Sequence, residues 1–121
     1  MDEILLVDDE DDVLSMMADV LREQGYAPVP VSNGEEALQL LSTRPVDVVV
    51  SDIMMPRLNG VRLLEAVKRG HRDVEVVLVT GYATRELAEE ALGKGACCVL
   101  EKPFTNDQLV TAVRDALERH A

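Results

Sequence analysis

Two hydrophobic periodicities alternate along this chain. Short runs of branched apolar residues occupy Ile4 to Val7, Val48 to Val50, Val76 to Val79 and Cys98 to Leu100. Each run gives way to a stretch whose apolar residues recur at helical spacing. Val13, Met16, Met17, Val20 and Leu21 make one stripe; Leu109, Ala112, Val113, Ala116 and Leu117 make another. Shorter stripes lie between them, at Ala37, Leu38 and Leu41, at Leu63, Leu64 and Val67, and at Leu87, Ala88, Ala91 and Leu92. Gly25, Gly70 and Gly93 follow helical stretches and are expected to be left-handed caps. Asn33 with Glu36, and Thr105 with Gln108, have the spacing of capping boxes at helix starts. The pattern is β-α repeated five times. Right-handed crossovers then distribute the helices over both faces of a parallel sheet.

Residues 27–31 read Ala-Pro-Val-Pro-Val. Proline cannot donate to a ladder, so two prolines in one strand point to a sheet edge. The second strand therefore lies outside the first, which favours the order 2-1-3-4-5. In that order the chain reverses direction between strands 1 and 3, and ligands of open α/β sheets bind outside the carboxyl ends of the strands at such a point. Asp8-Asp9, Asp52, Thr80 and Lys102 all close, or directly follow, the apolar runs. Parallel neighbours would gather them at one edge.

Length and charge narrow the function. The 121 residues suit a single domain spanning 1–121, with no linker, repeat or low-complexity segment. A net charge of −11 disfavours direct binding of nucleic acid or anionic membrane. The absence of a long apolar run or leader pattern leads us to expect a cytoplasmic protein. Cys97 and Cys98, adjacent in an apolar run, are expected to be small buried hydrophobes pointing to opposite faces. His71 and His120 lack metal-ligand spacing and are expected near helix ends at the surface.

Three carboxylates in one crevice repel one another, and a divalent cation relieves the repulsion. Mg²⁺ prefers oxygen ligands, takes one or two carboxylates and keeps waters, leaving room for phosphate oxygens. Phosphoryl transfer needs positioning and charge neutralisation above all. Asp52, alone at the end of the central strand, is the best nucleophile and would become an acyl phosphate. Lys102 can neutralise the transferring group and Thr80 can donate to a phosphate oxygen. Taken singly, Asp8 and Asp9 could be helix caps, Thr80 a strand-end threonine and Lys102 a surface lysine. Their combination at one sheet edge carries the reading.

These residues resemble the receiver domains of bacterial two-component response regulators. The marks are Leu-Leu-Val-Asp-Asp at 5–9, Ser-Asp-Ile-Met-Met-Pro at 51–56, Asn59-Gly60, Val-Thr-Gly at 79–81 and Glu-Lys-Pro-Phe at 101–104. The resemblance runs from Ile4 to about Leu117 and implies a flavodoxin-like (βα)5 doubly wound sheet. It implies that Asp52 is the phosphoacceptor for a histidine kinase or phosphotransfer protein. Asp8, Asp9, Asp52 and the backbone carbonyl of Met54 would ligate Mg²⁺ or Mn²⁺. Thr80 would be the switch hydroxyl, Lys102 would pair with a phosphate oxygen, and Pro103 would follow it through a cis peptide bond. The domain would assist only its own phosphorylation and dephosphorylation. Phosphorylation would remodel the surface of helix 4, strand 5 and helix 5, altering a homodimer or a covalently linked output domain outside this chain.

One position departs from the family. The switch aromatic usually found three residues before the lysine is here Val99, whose single stiff torsion allows no comparable swing. Tyr82, two residues after Thr80, is a candidate for gating or for shielding the acyl phosphate. A phosphorylation-independent binding module is the reading that Val99 favours and the intact acid set opposes. An aspartyl-phosphate hydrolase is opposed by Ile53 and Met54, which replace the Asp-x-Asp pattern.

Overall fold

The apolar runs fold as strands and the amphipathic stretches as helices, in strict alternation. We describe residues 2–55, 58–81 and 85–120 of a computed structural model. The order is β1 (Glu3–Val7), α1 (Asp11–Glu23), β2 (Ala27–Val31), α2 (Gly34–Thr43), β3 (Val48–Asp52), α3 (Gly60–Gly70), β4 (Glu75–Thr80), α4 (Arg85–Gly93), β5 (Cys98–Glu101) and α5 (Asn106–His120). All strand pairings are parallel and the sheet order is β2-β1-β3-β4-β5.

Strand side chains alternate between two apolar layers. Leu5, Val7, Val49, Val76 and Leu78 face α2, α3 and α4, meeting Ala37, Leu41, Leu63, Leu64, Val67 and Ala91. Ile4, Leu6, Val48, Val50, Val77 and Val79 face α1 and α5, meeting Leu14, Met17, Leu21, Leu109, Val113 and Ala116. Burial on both sides explains why β1, β3 and β4 read as continuous apolar runs rather than alternating ones. Each fully buried Leu or Val contributes about 1.5–3 kcal/mol. The central strands are therefore a rigid base for whatever stands at their ends.

β2 occupies the edge that its prolines require. Ala27 donates its N–H to the carbonyl of Asp2, so its nitrogen faces β1. By alternation the nitrogens of Pro28 and Pro30 face outward, where no ladder bond is lost. Both caps form, and the one at Thr105 is a reciprocal capping box. The Asn33 carboxamide accepts from the Glu36 N–H, and Thr105 and Gln108 exchange reciprocal bonds of 2.8 and 3.1 Å.

Two expectations need correction. Gly25 is left-handed, at φ 86°, but Gly70 and Gly93 are the last residues of their helices and have no positive φ. Beyond α4 the Lys94 N–H still bonds back to the carbonyls of Glu90 and Ala91, so the turn waits until Gly95, at φ 105°. The left-handed residue falls where helical bonding ends, not at the first glycine. The two thiols do not point to opposite sides: Cys97 and Cys98 both join the layer beneath α1 and α5. Strand alternation begins only at Cys98, so it does not govern the pair. His120 ends α5 as expected and is partly exposed, with its Nε2 3.0 Å from Asp47 Oδ1.

Candidate functional site

The carboxyl ends of β1, β3, β4 and β5 bring the polar residues together. Asp8 follows β1 and is fully buried; its Oδ1 accepts the N–H of Glu10 at 2.9 Å, turning the chain into α1. Asp52 ends β3 and is 5% exposed. Its Oδ1 accepts the N–H of Met54 at 3.2 Å, while the Met54 side chain is mostly exposed. Thr80 ends β4 and is buried; its carbonyl accepts the Lys102 N–H at 2.8 Å, extending the β4–β5 pairing to the rim. Lys102 is joined to Pro103 by a cis peptide bond.

The Lys102 ammonium spans the crevice. Its Nζ lies 3.2 Å from Asp8 Oδ2, 3.3 Å from Asp52 Oδ2 and 3.3 Å from Glu10 Oε1. Burial would lower its pKa, but the neighbouring Asp8 and Asp52 charges outweigh that and raise it. Asp8 is raised mainly by burial and further by Asp52; the Glu10 N–H and Lys102 pull the other way without prevailing. Loss of solvent, more than the Asp52 charge, is therefore what disfavours ionised Asp8.

Asp9 is exposed and completes an acidic set. Asp8, Asp9, Glu10 and Asp52 each offer a carboxylate oxygen, and these oxygens all lie within 4.8 Å of one another. Hard oxygen donors crowded at this distance, with a single ammonium among them, fit a divalent cation of the Mg²⁺ or Mn²⁺ class. Glu10 is the member that sequence reasoning passed over. The acidic run from Asp8 to Asp12 was the available signal, but nothing in it tells Glu10 from the helix-start acids Asp11 and Asp12.

The end of β3 is tied to the start of α3. The Gly60 N–H bonds to the Ile53 carbonyl at 2.9 Å, and the Asn59 side chain caps α3 by accepting from Arg62 N–H at 3.0 Å. Val99 is half-buried and packs on the layer of α2, α3 and α4. Tyr82 lies outside the described residues. Beside the crevice, Val13, Met16, Pro103 and Phe104 with the Lys102 stem line an apolar hollow of about 320 Å³.

Comparison with known proteins agrees with this geometry. The model of the response regulator receiver domain matches residues 4–114. The nitrogen assimilation regulatory protein NtrX of Azorhizobium caulinodans is 36% identical over 118 residues, covering 96% of this chain and 26% of that protein. The regulatory protein AtoC of Escherichia coli is 39% identical over 115 residues, covering 95% and 25%. A segment of the sensor kinase CckA of Brucella abortus also matches, at 36% identity over 96% of this chain and 12% of the kinase. The chain thus spans about a quarter of the regulators it matches. Among solved structures, the beryllofluoride-activated NtrC4 receiver domain dimer superposes with a TM-score of 0.95, at 31% identity and with complete coverage of both chains. No helix among the described residues is long and apolar enough to cross a membrane. With its doubly wound sheet and its acids at the carboxyl edge, the chain belongs to the response-regulator receiver domain family.

Proposed function

We propose that this receiver domain is a Mg²⁺-dependent phosphoacceptor, phosphorylated on Asp52 by a histidine kinase or phosphotransfer protein. The observation that carries the reading is the position of Asp52. Its carboxylate lies at the end of the central strand, within 4.8 Å of three other carboxylate groups and 3.3 Å from the Lys102 ammonium. An Asp52 oxygen would attack the phosphorus of a phosphohistidine. The new P–O bond forms as the P–N bond breaks, and the departing imidazole takes a proton from solvent. Asp8, Asp9 and Asp52, with the Met54 carbonyl, would hold the metal, which would neutralise the carboxylates and the incoming phosphoryl oxygens. Lys102 would bear on the opposite side of the transferring group. Thr80, at the end of the adjacent strand, would donate its hydroxyl.

The domain acts on no external substrate in this reading. A new dianion at Asp52 biases a two-state equilibrium of Thr80 and the segment after β4. The face formed by α4, β5 and α5 would then change its fit to a second copy or to an output domain. Val99, in place of a mobile aromatic, leaves that coupling to Thr80 and the loop, with Tyr82 a candidate for shielding or gating. The apolar hollow at Val13, Met16 and Phe104 borders the crevice and offers a phosphodonor protein a contact surface.

Covalent labelling by a small phosphodonor such as acetyl phosphate in Mg²⁺ tests the reading. Wild-type protein should acquire an alkali-labile aspartyl phosphate, and Asp52→Asn should not. Label of that type surviving on Asp52→Asn would move the acceptor elsewhere, and a wild-type protein that never labels would overturn the assignment.

A further inference from the structure

The structure assigns Glu10 a role outside the phosphoacceptor set: it is a positioning residue that holds the Lys102 ammonium at rest and competes with the phosphoryl group for it. This inference rests on the proposed phosphorylation of Asp52.

Local chemistry does not explain Glu10. It is the N-cap of α1, a position that favours Ser, Thr, Asp or Asn because their short side chains accept from the first free N–H groups. Glu10 has the extended cap backbone, φ −99° and ψ 111°, yet its side chain makes no capping bond. It reaches instead across 92 positions of sequence to Lys102 Nζ. Departures from local preference tend to mark functional positions.

The donor count gives the bond a consequence. A lysine ammonium has three N–H donors. Lys102 Nζ has three carboxylate partners at hydrogen-bonding distance, Asp8, Asp52 and Glu10. All its donors are engaged, so an incoming phosphoryl oxygen must displace one partner. Asp8 and Asp52 are buried, whereas the Glu10 side chain is 63% exposed and regains water on release. Glu10 is therefore the partner released at least cost. Its carboxylate also belongs to the acidic set, so its charge adds to the pull on a cation and to the repulsion of a phosphoryl dianion.

The two effects have opposite signs, which separates positioning from mere structure. In Glu10→Ala and Glu10→Gln, Mg²⁺ binding followed by titration calorimetry should weaken. At saturating Mg²⁺, labelling of Asp52 by acetyl phosphate should become faster. Each change should be about two- to five-fold, the range open to an exposed ion pair. Neither variant loses a capping bond, so unfolding midpoints without Mg²⁺ serve as the check on folding. Opposite shifts in the two measurements support the role. No change in either, or a joint fall, overturns it. Wild-type labelling that is absent, or that persists in Asp52→Asn, defeats the phosphoacceptor reading instead, so the two failures are distinguishable.

Discussion

A methyl group on Gly60 would stand 2.5 Å from the carbonyl oxygen of Asp52 and 2.8 Å from the Cα of Ile53. The start of α3 is thus pressed onto the backbone that carries the candidate nucleophile. No rotamer change relieves a clash with backbone, so any side chain there must move the loop, the strand end or both. Gly60→Ala should destabilise the fold by about 1–3 kcal/mol, the usual cost of overpacking. It should also slow phosphoryl labelling of Asp52. Gly70→Ala is the matched control: a Cβ there meets nothing within 4 Å, and the helical backbone should gain about 0.5–1 kcal/mol. Urea unfolding of both variants checks the contrast.

Asp8 should make stability depend on pH in an unusual direction. Its pKa is raised in the fold, chiefly by burial. A carboxyl raised above its unfolded value near 3.8 binds its proton more tightly when folded. Its contribution is complete below that value and is lost as pH rises through the folded pKa. Ionised Asp8 therefore opposes folding at neutral pH when no divalent cation is present. Asp8→Asn should be more stable than wild type at pH 7 in chelator and should lose part of the acid-side pH dependence. Mg²⁺ should stabilise wild type more than the variant. Denaturation curves between pH 4 and about 8, with and without Mg²⁺, measure all three effects.

Lys102 is the counter-charge to that crowd. Its raised pKa gives stability that is fully present below the ordinary lysine value of 10.5 and is lost as pH climbs through the higher folded pKa. Lys102→Gln should lower stability in chelator by roughly 1–3 kcal/mol, somewhat below the cost of breaking a fully buried ion pair because the crevice is partly open. Saturating Mg²⁺ should return part of the loss. Equal losses with and without the metal would separate Lys102 from the acidic set.

The thiols should be inert. Burial pushes both upward, Cys98 to about 11, with the neighbouring Cys97 adding to its shift. The thiolate is the reactive form, so little of either side chain is available near neutral pH. Alkylation by iodoacetamide at pH 7.5, followed by mass spectrometry, should leave the folded protein largely unmodified and label both residues in denaturant. Rapid labelling of the native protein would show that the layer beneath α5 opens.

Much of the architecture was legible in local sequence because local forces produce it. Alternating periodicities dictate which segments are strands and helices. Pro28 and Pro30 send β2 to the edge, and that placement carries β1 beside β3 with Asp8 and Asp52 across one crevice. The caps at Asn33 and Thr105 form as spaced, since their partners lie three residues away. Other features had no local signature. The left-handed turn after α4 sits at Gly95 rather than Gly93 because helical bonding runs past the first glycine. The side taken by Cys97 depends on where the β5 ladder begins.

By itself the sequence determined the order of elements, the edge strand and the residue types at the strand ends, all consequences of steric and hydrogen-bonding rules acting over a few residues. Only the tertiary structure decided which charges meet. Glu10 faces Lys102 rather than capping its own helix, and Gly60 presses on Asp52, because closing the sheet brings distant strand ends within hydrogen-bonding range. Charge and packing act through space, and spacing along the chain cannot report a distance that exists only after folding.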